Sequence, residues 1–151
     1  MEAVRTGKPL NNSINALKAY DYPGLLGVES ATEYWGLSTF YGIKPIFLFQ
    51  DNSQNNEGYE SSIAINLLFV PNVNTTNVVY LSEHLSVTDP EQTVCDMVRY
   101  QRHEFHLFET LLNAYEGDVD IERLETLADQ YGILERIRTL YQEALLVEGE
   151  G

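Results

Sequence analysis

The residues of this chain that could do chemistry are three histidines, one cysteine and scattered carboxylates, and their spacing limits what that chemistry is. His103 and His106 stand three apart, with Glu104 and Glu109 beside them. A zinc helix of the H-E-x-x-H type sets its imidazoles four apart so that both reach one ion. H-E-F-H is one residue short and lacks a third ligand, so no metal or other cofactor is expected, and His84 reads as a surface residue. Asp51, Glu57 and Glu60 offer carboxylates to a metal-dependent nuclease, but that reaction wants a lysine against the developing charge. No lysine follows Lys44. Arg99 and His103 have only three residues between them, a poor fit to an R-x(4–6)-H ribonuclease pair. Gly24 and Gly27 in YPGLLG read as a turn rather than a phosphate loop, and no G-S…D-x-D nucleotidyltransferase pattern occurs. Cys95 lies on an apolar helix face, where a buried inert thiol is expected. The expectation is a protein that is not an enzyme.

Binding is the remaining class. The 151 residues carry a net charge of −14 with only nine lysines and arginines, none of them between Lys44 and Arg99. A domain that holds DNA by releasing counterions needs a basic stripe, so no nucleic-acid binding is expected through these residues themselves. Asp96 and Arg99, three apart on a helix, are neighbours that can pair. Arg99, Arg102, Arg123, Arg136 and Arg138 gather the positive charge in the last third and would form a basic patch if folding collects them. Tyr20, Tyr22, Tyr34, Trp35 and Tyr41 form an aromatic group of the kind that anchors interfaces, although core packing explains such residues equally well.

The elements that must hold these residues follow from caps and periodicity. Asn12 or Ser13 opens a short helix with Ile14, Leu17 and Tyr20, and Ser30 with Glu33 reads as a capping box for a second helix ending near Gly36. Pro45 to Phe49 predicts a strand, 51–58 a loop, and Ile63, Ile65, Leu67 and Phe69 the strongly apolar face of another strand. Val78 to Leu81 predicts a third strand, and Leu85 to Val87 a short edge pairing. Thr88 or Asp89 can cap the next helix, with Pro90 at its first position and Glu91 completing T-x-x-E. Helices are predicted over 90–99, 104–116, 120–130 and 133–147. The expected fold is therefore α+β, with short N-terminal helices, a small, mainly antiparallel central sheet and a C-terminal four-helix region. One domain over 1–147 and a disordered polar tail over 148–151 complete the expectation. The single cysteine, the absence of an apolar run of about 18 residues and a start unlike a signal peptide suggest a cytoplasmic, non-membrane protein.

The stretch LSVTDPEQTVCDMVRY resembles the S-x-x-E-R-T-[LI]-x-D-x-[LI]-R signature of AbiEi-type antitoxins, with Thr88, Pro90, Glu91, Thr93, Asp96 and Arg99 at the matching positions. Val28 to Leu37 is similar to that family's short helix ending in glycine. Phe108 to Tyr115, then Asp120, Leu124, Leu127, Ala128 and Gly132, then Arg136 to Leu146 follow its later pattern in order. The resemblance spans about residues 20–147. It implies the antitoxin half of a type IV, abortive-infection toxin–antitoxin system, non-catalytic and set against a nucleotidyltransferase-like toxin. Such antitoxins oppose the toxin's effect without necessarily gripping it. By resemblance the interaction candidates are Thr93, Asp96 and Arg99, to which Arg102 and the aromatic pair Tyr34 and Trp35 are added from the residues. The family's winged helix-turn-helix is not found ahead of this region, though Val4-Arg5-Thr6-Gly7 is similar to the end of its wing, as a truncated, excised or separately started domain would be. The alternative is a dimerisation or sensing domain of a transcriptional regulator whose DNA-binding module lies outside these residues.

Overall fold

The computed structural model describes residues 14–19, 22–39, 44–50, 59–61 and 65–150. In chain order these form α1 (Ile14–Ala19), β1 (Gly24–Leu26), α2 (Val28–Trp35), β2 (Ile46–Gln50), β3 (Tyr59–Ser61), β4 (Asn66–Val70), β5 (Val78–Tyr80), β6 (Leu85–Thr88), α3 (Pro90–Arg99), α4 (Glu104–Glu116), α5 (Ile121–Gln130) and α6 (Leu134–Glu150). The fold is α+β, with the strands grouped before the helices of the last third.

The sheet runs in the order β3-β4-β2-β1-β6-β5 and is mixed rather than simply antiparallel. β1 pairs antiparallel with β2, Leu26 facing Phe47, and parallel with β6, Leu25 facing Ser86. β2 pairs parallel with β4 over five residues, and the antiparallel pairs β3–β4 and β5–β6 close the two sides. The parallel pairing of β2 with β4 arises because the intervening β3 takes the outer edge. Two sequence expectations change here. Leu85–Thr88 is an inner strand rather than an edge, and YPGLLG holds the central strand β1 rather than a turn alone. Gly24 sits there at φ +143°, and a Cβ on it would come within 2.7 Å of the Phe47 ring.

Alternate residues of the strands feed two apolar clusters. Leu25, Ile46, Leu48, Leu68 and Val70 join the side chains of α3 to α6, whereas Leu26, Phe47, Leu85 and Val87 join Ala16, Ala19, Ala31 and Tyr34. Because both faces of the sheet are covered, Leu68 and Val70 are buried more deeply than Leu67 and Phe69, which reverses the expected face of β4. Ile63, Ala64 and the 51–58 loop lie outside the described residues, as do Asn12, Ser13 and Tyr20.

Helix boundaries follow the sequence closely, but two of the caps differ. α2 begins at Val28 behind Gly27, because Ser30 Oγ is taken by the Ile46 amide, which donates to it at 2.8 Å. Gly36 does end the helix in the left-handed conformation, φ +75°, with the Leu37 N–H returning to the Thr32 carbonyl. α3 is capped by Asp89, whose carboxylate accepts from the Gln92 N–H at 2.8 Å, with Pro90 next. The T-x-x-E box does not form, since Glu91 points to α5 instead. α6 continues to Glu150, so the expected tail over 148–150 is helical; Gly149 stands in open space and meets nothing that would break the turn. Among the described residues, no helix is long and apolar enough to cross a membrane.

Candidate functional site

The sequence from Pro90 to Val98 is buried without interruption, including Glu91, Gln92, Thr93 and Asp96 at zero exposure. A helix enclosed in this way must satisfy each polar side chain inside the protein, because an unmet buried polar group costs about 1–3 kcal/mol. With the exception of one Asp96 oxygen, α3 does so through contacts of three kinds, the last of them just beyond its C-terminus.

At its N-terminus, Arg123 of α5 reaches back with Nη1 to Glu91 at 2.6 Å and Nη2 to Asp89 at 3.0 Å. The second Glu91 oxygen accepts the Asp120 N–H at 2.9 Å. Burial pushes the Asp89 carboxyl above its ordinary range, only partly offset by the Gln92 amide and Arg123. Burial also opposes the charge on Arg123, but its hydrogen bonds to the Asp89 and Glu91 carboxylates, and its proximity to both, outweigh it and raise its pKa. Thr93 Oγ1 lies 2.6 Å from Thr88 Oγ1 and donates to the Asp89 carbonyl at 2.7 Å, holding the strand-to-helix corner. The Trp35 indole donates to the Thr88 carbonyl at 2.7 Å.

Along the middle of α3, Gln92 Nε2 and Arg99 Nη1 both donate to Asp96 Oδ1 at 2.8 Å. Arg99 Nη2 donates to the Asn72 carbonyl at 2.8 Å, and its guanidinium lies over the Tyr131 ring, 4.0 Å from the centroid. Asn77 donates to Gln92 Oε1 and Asn74 to the Tyr131 hydroxyl, so the β4–β5 connection, α3 and the α5–α6 turn are joined here. Asp96 Oδ2 has no hydrogen-bond partner. Burial dominates at this carboxyl and lifts its pKa to about 6, against the opposing pull of Arg99 and Gln92.

Beyond the C-terminus of α3, Arg102 donates through Nε to both oxygens of Glu29 on α2, at 2.9 and 3.1 Å. The turn containing it is strained at Gln101, φ +51°, and Asn72 is also left-handed at φ +55°. Both residues line an open cleft of about 550 Å³ between the end of β4, the α3–α4 turn and the α5–α6 turn. Arg99, Arg102, Tyr100 and Tyr131 line it as well.

The structure thus brings Thr93, Asp96 and Arg99 into one polar system and places Arg99 and Arg102 on one cleft. It does not gather all five arginines: Arg123 serves the other end of α3, Arg138 pairs with Glu125 at 2.9 Å, and Arg136 is exposed on α6. Tyr34 and Trp35 do not form the expected aromatic surface. Tyr34 is wholly buried against Ala31 and Phe47, and Trp35 is half-buried with its N–H engaged by Thr88. Tyr41 lies outside the described residues.

His103 caps α4, its Nδ1 accepting from the Phe105 N–H at 3.1 Å, and His84 is exposed beside Glu83. No group of three or more possible metal-ligating side chains occurs among the described residues. Cys95 is buried, and burial pushes its thiol up to about 12. Sequence reasoning missed Glu29, Gln92, Asn72, Gln101 and Tyr131. Of these, Gln92 alone carried a signal, a polar residue one turn before Asp96 on a face that had to be buried. Comparison with protein-family models finds none that matches the chain, and comparison with curated proteins finds none either.

Proposed function

We propose that this chain is a non-catalytic antitoxin domain of the AbiEi type, acting in the cytoplasm against a nucleotidyltransferase-like toxin. The observation that supports this reading is that the separate stretches carrying the resemblance bond to one another. Trp35 of VESATEYWGL donates to Thr88, and Glu91 accepts from Asp120 and Arg123. Short patterns that matched in order along the chain are thereby parts of one physical scaffold. The net charge of −14 favours encounter with a basic partner over a phosphate backbone. An attached winged helix would add repression of the operon.

The test is co-expression with a nucleotidyltransferase-like toxin gene encoded beside this chain. Growth restored by the chain supports the antitoxin reading; continued toxicity in the presence of soluble chain overturns it. The cleft beside Arg99 and Arg102 favours a second reading, a sensing domain of a transcriptional regulator. A helix-turn-helix encoded in frame, without a neighbouring toxin gene, would select that reading.

A further inference from the structure

A guanidinium used only as a structural tie to a carboxylate does best as a fork, two parallel N–H groups on two oxygens. Arg102 is not used that way. Its Nε alone serves both oxygens of Glu29, and Nη1 and Nη2 have no acceptor among the described residues. The side chain is still 21% exposed and lines the cleft. Glu29, itself nearly buried, therefore fixes the guanidinium in place and leaves its terminal donors unspent.

The rest of the cleft complements that end. Leu68, Val70 and Ile133 supply apolar wall, Tyr100 an aromatic one, and the volume of about 550 Å³ suits a molecule of metabolite size. Arg99 adds a second guanidinium, 11% exposed and held by Asp96 and Asn72. The two arginines are each balanced by one buried carboxylate, so the cleft is nearly neutral on a protein whose net charge is −14. Strained residues on two facing segments, Asn72 and Gln101, meet at its walls, where strain is commonly kept for binding.

We propose that this cleft binds a small organic oxyanion, an apolar body bearing one carboxylate or phosphate group, with that group received by the Nη donors of Arg102. The proposal does not depend on the antitoxin reading, and its failure would leave that reading standing. The experiment is an amide and arginine side-chain NMR titration of the full chain with phenyl phosphate, phenylacetate and inorganic phosphate. Saturable shifts at Gln101, Arg102 and Tyr131 with either aromatic probe are expected, and the tighter of the two tells phosphate from carboxylate. Gln101→Glu, at an exposed position, keeps the fold and should weaken binding by roughly five-fold or more through like charge. Glu29→Gln with Arg102→Gln removes the pair without stranding a buried charge and should abolish the shifts while the circular dichroism stays unchanged. No shifts with any probe, equal affinity in Gln101→Glu, or inorganic phosphate binding as tightly as phenyl phosphate would each overturn the assignment.

Discussion

Replacing Asp96 by Asn isolates a buried charge with one unmet oxygen. The side chain has no exposure, one oxygen receives Gln92 and Arg99, and the other receives nothing. Burial lifts its pKa from an ordinary 3.8 to about 6. The folded chain therefore holds this proton more tightly than the unfolded chain does. Its contribution to stability is full below about pH 4, falls as pH rises towards 6, and stays level above. At about 1.4 kcal/mol per pH unit the whole change is about 3 kcal/mol. The isoelectric point near 4.4 hampers work in the lower part of that window, so the useful range is about pH 5 to 7.5, where on the order of 1 kcal/mol of the change falls. Asparagine keeps an acceptor for Gln92 and Arg99 and carries no charge. Urea unfolding followed by the fluorescence of Trp35 gives both stabilities at each pH. Wild type should lose on the order of 1 kcal/mol relative to Asp96→Asn across this range, whatever other carboxylates such as Asp89 contribute to both. A wild-type stability, taken relative to the variant, that stays flat or rises with pH would mean that the Arg99 pairing balances or outweighs burial, and the reasoning would fail.

Two further outcomes test the scaffold. Arg123→Ala leaves Asp89 and Glu91 without their cation and should cost roughly 3 kcal/mol, the lower end for a broken buried pair because Arg123 is 38% exposed. Adding Glu91→Gln to that variant should return part of the loss in the same urea assay, and no return would mean that water had replaced the arginine. Cys95, with its thiol at about 12 and no exposure, should react with a disulfide reagent at neutral pH only as fast as the chain unfolds; faster labelling of the native protein would reveal local opening of α3.

Much of the helical third was legible because its boundaries are written in local chemistry. Pro90 behind Asp89, Asp120 before Ile121 and Gly132 after α5 each mark an end through an effect confined to one turn. The Asp96–Arg99 pair was legible for the same reason. β1 was not, since a three-residue strand that itself begins with a glycine and is followed by another shows no period, and neither was the parallel course of β4, which depends on where β3 inserts. Ser30 shows how a local signal is overruled: it has capping chemistry, but the Ile46 amide, sixteen residues away, claims its hydroxyl. Glu29 with Arg102, at a separation of 73 residues, left no trace that spacing alone could show. Tyr34 and Trp35 were readable both as core and as interface aromatics, and how α2 meets the sheet selects the core reading, Tyr34 wholly buried and Trp35 half-buried.

The burial of α3 also bears on what its residues can signify. Glu91, Thr93 and Asp96 reach no solvent, so whatever constrains their identity acts through their partners on α5 and in the turns. Such residues report on a scaffold and offer no surface to a toxin, a nucleic acid or a ligand. The system reaches solvent at its far end, through Arg99, Gln101 and Arg102 at the cleft, where fixing and binding can be separated by choice of residue. Changing Arg102 disturbs the hold on Glu29 as well as the cleft, whereas Gln101 has an exposed side chain and a backbone held by its own N–H to the Val98 carbonyl. A substitution at Gln101 that alters binding with stability unchanged therefore assigns function to the cleft, and one at Asp96 or Thr93 cannot.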